Sequence, residues 1–165
     1  MSLIIKNKIL IMDEMKFNIR SFDPSDLKKL SEIWFVASSE VHSFLGKQRL
    51  LEQKKLIEDI YLLNSETYVA CYDGIPIGFI GLMDTFIGGL FIDPKMQGFG
   101  IGRALVNYAL KLKEGLQLEV YFDNQKAYLF YRHLGFEEIS RKAKDDDGLP
   151  FEVVHMKLKY KEIEL

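Results

Sequence analysis

The sequence predicts a mixed α/β protein in which about four helices pack on a central, mostly antiparallel sheet. Three stretches carry that reading. Two apolar runs, 67–72 and 75–83, are joined by Asp73-Gly74, a dipeptide suited to a type I′ hairpin turn. A third run, 86–92, leads through a glycine-rich loop into Ile101, Leu105, Tyr108 and Leu112, which recur at helical spacing. Ahead of these lie two further helical patterns, one carrying Leu27, Leu30, Trp34 and Ala37, the other spanning 47–61.

Taken in order, residues 1–15 read as an N-terminal extension or an extra strand, since Met15 would itself open the domain naturally, and 16–165 read as a single domain. A short strand at 16–20 is followed by Asp23-Pro24, an N-cap with proline at the first helical position. The second helix turns Leu50, Ile57, Ile60 and Tyr61 inward; the segment before it, 38–46, is long and chemically mixed for a connector. Pro76 stands at the start of its strand, where a missing N–H is tolerated. Asp84-Thr85 returns the chain into 86–92, where Gly88-Gly89 is compatible with a bulge or a close backbone approach.

Asp93-Pro94 ends that strand, because proline fixes φ and withholds a donor. The following helix feeds a strand at 116–122, and a right-handed crossover makes the two strands parallel neighbours or nearly so, with their carboxyl ends opening on one side. A last helix at 124–134 puts Ala127, Phe130, Tyr131 and Leu134 on one face and ends at Gly135. The tail forms a hairpin from 136–142 and 151–158, with Asp145-Asp146-Asp147-Gly148 as a solvated turn whose spacing is not that of a calcium loop.

Composition narrows the function classes. A formal net charge of −2 argues against bulk binding to nucleic acid or to an anionic membrane, and no apolar run approaches the ~18–20 residues of a membrane-spanning helix. The single cysteine, Cys71, has no internal partner and lies in an apolar strand pattern, which points to a buried, inert thiol and a cytoplasmic protein. His133 and His155 fall in surface-like patterns, and no group of residues has metal-ligand spacing.

A glycine loop ahead of a helix presents unpartnered backbone N–H groups near the positive end of the macrodipole, a place suited to phosphate. Gly102 is followed by Arg103 and Ala104, so the loop lacks the Gly-Lys-Ser/Thr ending of a P-loop. Arg103 also stands where a dinucleotide fingerprint requires its third glycine or alanine.

Gln97-Gly98-Phe99-Gly100-Ile101-Gly102 instead resembles the Gln/Arg-x-x-Gly-x-Gly/Ala signature of the GNAT superfamily of N-acetyltransferases. A second block, Leu118-Glu119-Val120-Tyr121 with Asn124, Ala127, Phe130-Tyr131 and Leu134-Gly135-Phe136, looks like the next strand and helix of that superfamily. More narrowly, the chain from about Phe17, with Trp34 and Val41-His42-Ser43-Phe44, resembles small bacterial members of the YiaC and YjaB type.

The resemblance implies a GNAT-like fold with a splayed parallel strand pair and acetyl-CoA as co-substrate, its pyrophosphate on the loop that follows Gln97, from Gly98, Phe99, Gly100, Ile101 and Gly102 to Arg103. It places the pantetheine arm along Leu90, Phe91 and Ile92 and against Asn124, which is otherwise an ordinary N-cap. Tyr131 is implied as the general acid, or is a core tyrosine on the same apolar stripe. Glu119 is the candidate base, on the strand face it shares with Gln117 and Tyr121, with His42 and Glu40 as alternatives. His42 could also bind substrate or cap a helix.

The expected reaction is direct attack of a primary amine, on a small molecule or a protein, with no metal, no nucleic acid and no membrane, by a monomer or homodimer. The competing expectation is an inactive domain that binds acetyl-CoA or CoA as a sensor or assembly module.

Overall fold

The computed structural model describes residues 16–41 and 45–159, so the predicted extension at 1–15 lies outside the described residues. Among these residues one sheet of seven strands forms from β1 (Asn18–Ser21), β2 (Glu66–Tyr72), β3 (Ile75–Met83), β4 (Phe86–Ile92), β5 (Gly115–Tyr121), β6 (Glu137–Lys142) and β7 (Val153–Lys159). Their order across the sheet is β1-β2-β3-β4-β5-β7-β6, and each neighbouring pair is antiparallel except β4 and β5. Four helices pack on it: α1 (Leu27–Val41), α2 (Lys47–Leu56), α3 (Ile101–Lys113) and α4 (Gln125–His133).

Local chemistry sets most of these boundaries. The Asp23 carboxylate accepts from Ser25 N at 2.9 Å, and the Asp26 carboxylate accepts from Asp23 N at 2.9 Å, a capping box that starts the helical chain with Pro24 in its first turn. Asp26 is buried and accepts two bonds from Arg20, at 2.7 and 2.8 Å, which pin the edge strand β1 to the start of α1. Asp73 and Gly74 take φ of 51° and 76°, as a type I′ turn requires. Gly135, at φ 101°, follows the C-cap of α4 in the left-handed role predicted for it.

Alternation along the strands supplies two cores, one on each face of the sheet. On one face Leu30, Ile33, Trp34, Leu50 and Leu62 of the α1–α2 layer cover Val69, Cys71 and Phe79. On the other, Ile101, Leu105, Val106 and Ala109 of α3 and Tyr131 of α4 cover Ala70, Ile80, Leu82, Ile87, Leu116 and Leu118. Each fully buried Leu or Ile contributes about 1.5–3 kcal/mol relative to an exposed one, so these two layers hold the sheet between them.

Three expectations change. After Leu56 the second helix widens into a π-helical turn, Ile57–Tyr61, before closing with Leu62–Asn64; the wider turn shifts the phase, leaving Ile60 56% exposed while Leu62 is buried. Leu112 is half-exposed at the end of α3, and Ala109 fills the inward position near it. Asp145 is not solvated but buried, for reasons that concern the site below.

The strands β4 and β5 pair at Phe86 with Gln117 and at Ile87 with Leu118, and then part. Between β3 and β4 the register passes from Leu82 opposite Ile87 to Gly81 opposite Gly89, leaving Gly88 as the extra residue of a bulge. A bulge bends its strand. The predicted splay therefore begins at Gly88.

Candidate active site

The split between β4 and β5 is the centre of the site, and the glycine loop lies at its mouth. Asp93 Oδ1 accepts from Lys95 N at 3.0 Å and starts the short turn Pro94–Met96 that carries the chain off β4. Gly98 and Gly100 follow with φ of 83° and 78°, a region in which a side chain is strained. The first helical bond of α3 runs from Ala104 N to Gly100 O at 3.0 Å, so the amides of Ile101, Gly102 and Arg103 have no carbonyl above them in the helix. Those amides and the helix dipole make a cradle for an anion of phosphate type.

The loop residues divide the work. Ile101 is buried and anchors the first turn of α3 in the core. Gly102 serves packing: a Cβ there would stand 3.2 Å from the Phe130 ring of α4. Gln97 is bonded to Lys126 Nζ of α4 at 2.7 Å, and Arg103 is exposed. Loop, α3 and α4 are thus one assembly.

Beyond Ile87 the edge of β4 that borders the split is not paired with β5. Asp93 N donates to Ile77 O of β3 at 2.9 Å, and strand alternation then turns the amides of Ile92 and Leu90 the other way, toward the split. Phe91 points its ring into the α1–α2 core, 5.6 Å from Phe79 and 6.2 Å from Trp34 between centroids. Gly88 is exposed, so the bulge backbone is open to a ligand.

Tyr131 of α4 lies in the core beneath α3, 8% exposed, with its ring 5.2 Å from Phe130 and 5.4 Å from Phe136. Burial pushes the phenol well above its ordinary pKa, and the nearby Tyr61 phenol adds to the rise. A group so placed holds its proton at neutral pH. Tyr131 is thus a core residue that keeps its phenol proton.

Glu119 lies exposed on the face of β5 that it shares with Tyr121, opposite His155 of β7, with Oε2 3.3 Å from Lys142 Nζ. Beyond it Tyr121 donates to Asp145 at 3.0 Å, and burial together with that carboxylate pushes the Tyr121 phenol up to about 12. Asn124 caps α4, accepting from Ala127 N at 3.2 Å. His42 lies outside the described residues, while Glu40 is exposed near the end of α1. Cys71 is buried in the α1–α2 core, where burial raises its thiol pKa.

Two features escaped the sequence reading. Arg49 of α2 is 2.8 Å from Asp145 and 2.6 Å from Asp147, tying the helix to the β6–β7 loop across the face of β5. Tyr61 reaches the bulge itself, and the one signal for it was a pair of glycines, Gly81 and Gly88, in adjacent strands. Among the described residues no group of His, Cys, Asp and Glu could hold a metal ion, and no helix is long and apolar enough to cross a membrane.

Comparison with known proteins agrees with this geometry. A model of the acetyltransferase (GNAT) domain matches residues 63–138. The peptidyl-lysine N-acetyltransferase YjaB of Salmonella typhimurium is 35% identical over 143 residues, covering 86% of this chain and 98% of the relative. The peptidyl-lysine N-acetyltransferase YiaC of Escherichia coli is 33% identical, covering 80% and 91%. Among solved structures, apo-form YjaB from Escherichia coli superposes with a TM-score of 0.80 at 30% identity, covering 87% of this chain and 97% of that one. The PaiA N-acetyltransferase of Thermoplasma acidophilum, solved with coenzyme A, shares the fold at a TM-score of 0.74 and 20% identity, covering 88% and 100%. With a split sheet, a glycine cradle and relatives matched along nearly their whole length, this chain belongs to the GNAT family of acetyltransferases.

Proposed function

We propose that this chain transfers the acetyl group of acetyl-CoA to the side-chain amine of a lysine in a peptide or protein, by direct attack and without an acetylated protein intermediate. One arrangement carries the reading: a strand split with an anion cradle at its mouth, over a core that holds the buried Tyr131 phenol. The acceptor named for the relatives, peptidyl lysine, supports the choice of amine.

Acetyl-CoA, when bound, supplies an activated acyl carbon and a thiolate leaving group. The amides of Ile101, Gly102 and Arg103, with the left-handed Gly98 and Gly100 beside them, suit its diphosphate, and those of Leu90 and Ile92 suit the amide-bearing arm. Asn124, the N-cap of α4 shortly after the end of β5, would hold that arm by its side chain. Tyr131 keeps a proton at Oη for the departing sulfur.

A lysine amine, with an ordinary pKa of ~10.4, is neutral in only about one molecule in a few thousand near pH 7, so a base is worth most for this acceptor. Glu119 serves as that base and exchanges its Lys142 partner for the incoming amine. His42 is the alternative. Cys71, buried on β2, is unsuited to a covalent route. An unpaired thiol also fits a reducing compartment, and we assign the chain to the cytoplasm.

The test is calorimetric titration with acetyl-CoA, followed by thiol release in the presence of a lysine-containing peptide library. Saturable binding with release that depends on lysine, and disappears from Lys→Arg peptides, is expected. Binding without any acceptor would favour a sensor, and no binding at all overturns the proposal.

A further inference from the structure

Tyr61 has no part in the chemistry above, yet it stands at the root of the split. The π-helical turn Ile57–Tyr61 swings its ring onto the sheet, as such turns frequently do at functional sites. A Cβ built on Gly81 or on Gly88 would collide with its hydroxyl and stand 3.0 Å from its Cζ, so both glycines are needed to seat the ring. Gly88 is the bulge residue, and it follows directly on the last β4–β5 pair, Ile87 with Leu118.

The ring packs with the α1–α2 core, whereas Tyr131 belongs to the α3–α4 core, and the two phenols are near enough to influence each other. Tyr61 meets the bulge from one face of the sheet, and Tyr131 belongs to the core on the other. The Tyr61 oxygen is buried and has no hydrogen-bond partner among the described residues, so packing against the two glycines, rather than a polar bond, fixes its position. On its outer side the same ring forms one wall of an apolar groove of about 300 Å³ lined also by Leu56, Ile60, Asn64, Ser65 and Met83.

We infer that Tyr61 is the end wall of the acyl site and limits the donor to short acyl thioesters, acetyl above all, a role that rests on the function proposed above. A donor held by the glycine cradle and the Leu90 and Ile92 amides runs inward along β4 and ends at Gly88. Past that point the Tyr61 ring occupies the space that a longer acyl chain needs. Removing the ring joins the root of the split to the apolar groove behind it, which then accepts the extra methylenes.

The experiment measures binding of CoA, acetyl-CoA, propionyl-CoA and butyryl-CoA to the wild type, Tyr61→Phe and Tyr61→Ala, with turnover of the same donors on a lysine peptide. Misfit of a single methylene is typically worth about 10–200-fold, so the wild type and Tyr61→Phe should favour acetyl-CoA over butyryl-CoA by at least about 10-fold. Tyr61→Ala should bring that ratio close to unity by tightening butyryl-CoA. Equal binding of the two donors by the wild type overturns the inference, as does an alanine variant that keeps the wild-type ratio. Should Tyr61→Ala fail to fold, Tyr61→Leu is read in the same way, and the wild-type ratio decides alone if neither folds. A wild type that binds neither CoA nor its thioesters overturns the proposed function itself, and this role with it.

Discussion

Arg49 Nη2 on α2 lies 2.8 Å from Asp145 Oδ2 in the β6–β7 loop, a contact between residues 96 apart in sequence. Asp145 is a hub: it also accepts from Tyr121 Oη at 3.0 Å, and its other oxygen accepts from Leu149 N at 2.9 Å and Asp147 N at 3.1 Å. Burial opposes its charge, but Arg49, the Leu149 amide and Tyr121 outweigh that and hold its carboxyl below the usual pKa. One carboxylate thus joins α2, β5 and the β6–β7 loop, two residues along the strand from Glu119.

Asp145→Asn should lower stability by about 1–3 kcal/mol, because Arg49 and Tyr121 lose a charged acceptor in a buried place. Thermal melting reads this directly. The KM for the amine should rise while the Kd for acetyl-CoA stays put, since the glycine loop lies with the α3–α4 assembly and the Asp145 network with α2.

Acid should undo the same network. Asp26 is held below its ordinary pKa mainly by its hydrogen bonds to Arg20, and Asp145 is lowered as well. Depressed carboxyls contribute stability that is fully present above their unfolded pKa of ~3.9 and is lost as pH falls through the folded values. The melting-temperature gap between wild type and Asp145→Asn should therefore be constant from neutral pH to about pH 5 and narrow below about pH 4.

Tyr131→Phe should cut kcat by about 10²–10⁴-fold with an unchanged Kd for acetyl-CoA, as loss of a proton donor predicts. Because burial raises the Tyr131 pKa, the wild-type kcat profile should show no alkaline limb from this residue below about pH 10. Unchanged turnover in the variant would make Tyr131 a core residue only.

Gly100→Ala and Gly102→Ala should fail for different reasons. Gly100 has open space around its Cβ position but sits at φ 78°, so alanine should cost about 1–2 kcal/mol of local strain and weaken acetyl-CoA binding. At Gly102 the Cβ would press on Phe130, so alanine should shift α4 and lower kcat along with affinity. Calorimetry and steady-state kinetics on the two variants separate these outcomes.

Glu119→Gln should reduce turnover on lysine peptides by about 10²-fold near pH 7 and by much less near pH 10, where the amine is largely neutral unaided. A pH-independent loss would point to substrate positioning, and no loss would pass the role to His42.

Local chemistry makes much of this protein legible in its sequence. The Asp73-Gly74 turn, the Asp23-Pro24 cap, the strand Ile75–Met83, the glycine loop and the Gly135 stop each depend on residues a few positions apart, so their signals are contained in short stretches of chain. Tyr131 and Glu119 are legible as candidates because motif and alternation place them on an element and a face.

Tertiary structure alone decides what those faces meet. That Ile60 turns outward while Tyr61 reaches Gly88 follows from a wide helical turn packed against a bulge. That Asp145 is a buried hub, and that Glu119 rests beside Lys142, depends on partners brought together from distant parts of the chain. Periodicity specifies direction relative to an element's own axis, whereas burial and pairing depend on which other elements arrive there, and only the assembled sheet with both its layers fixes that.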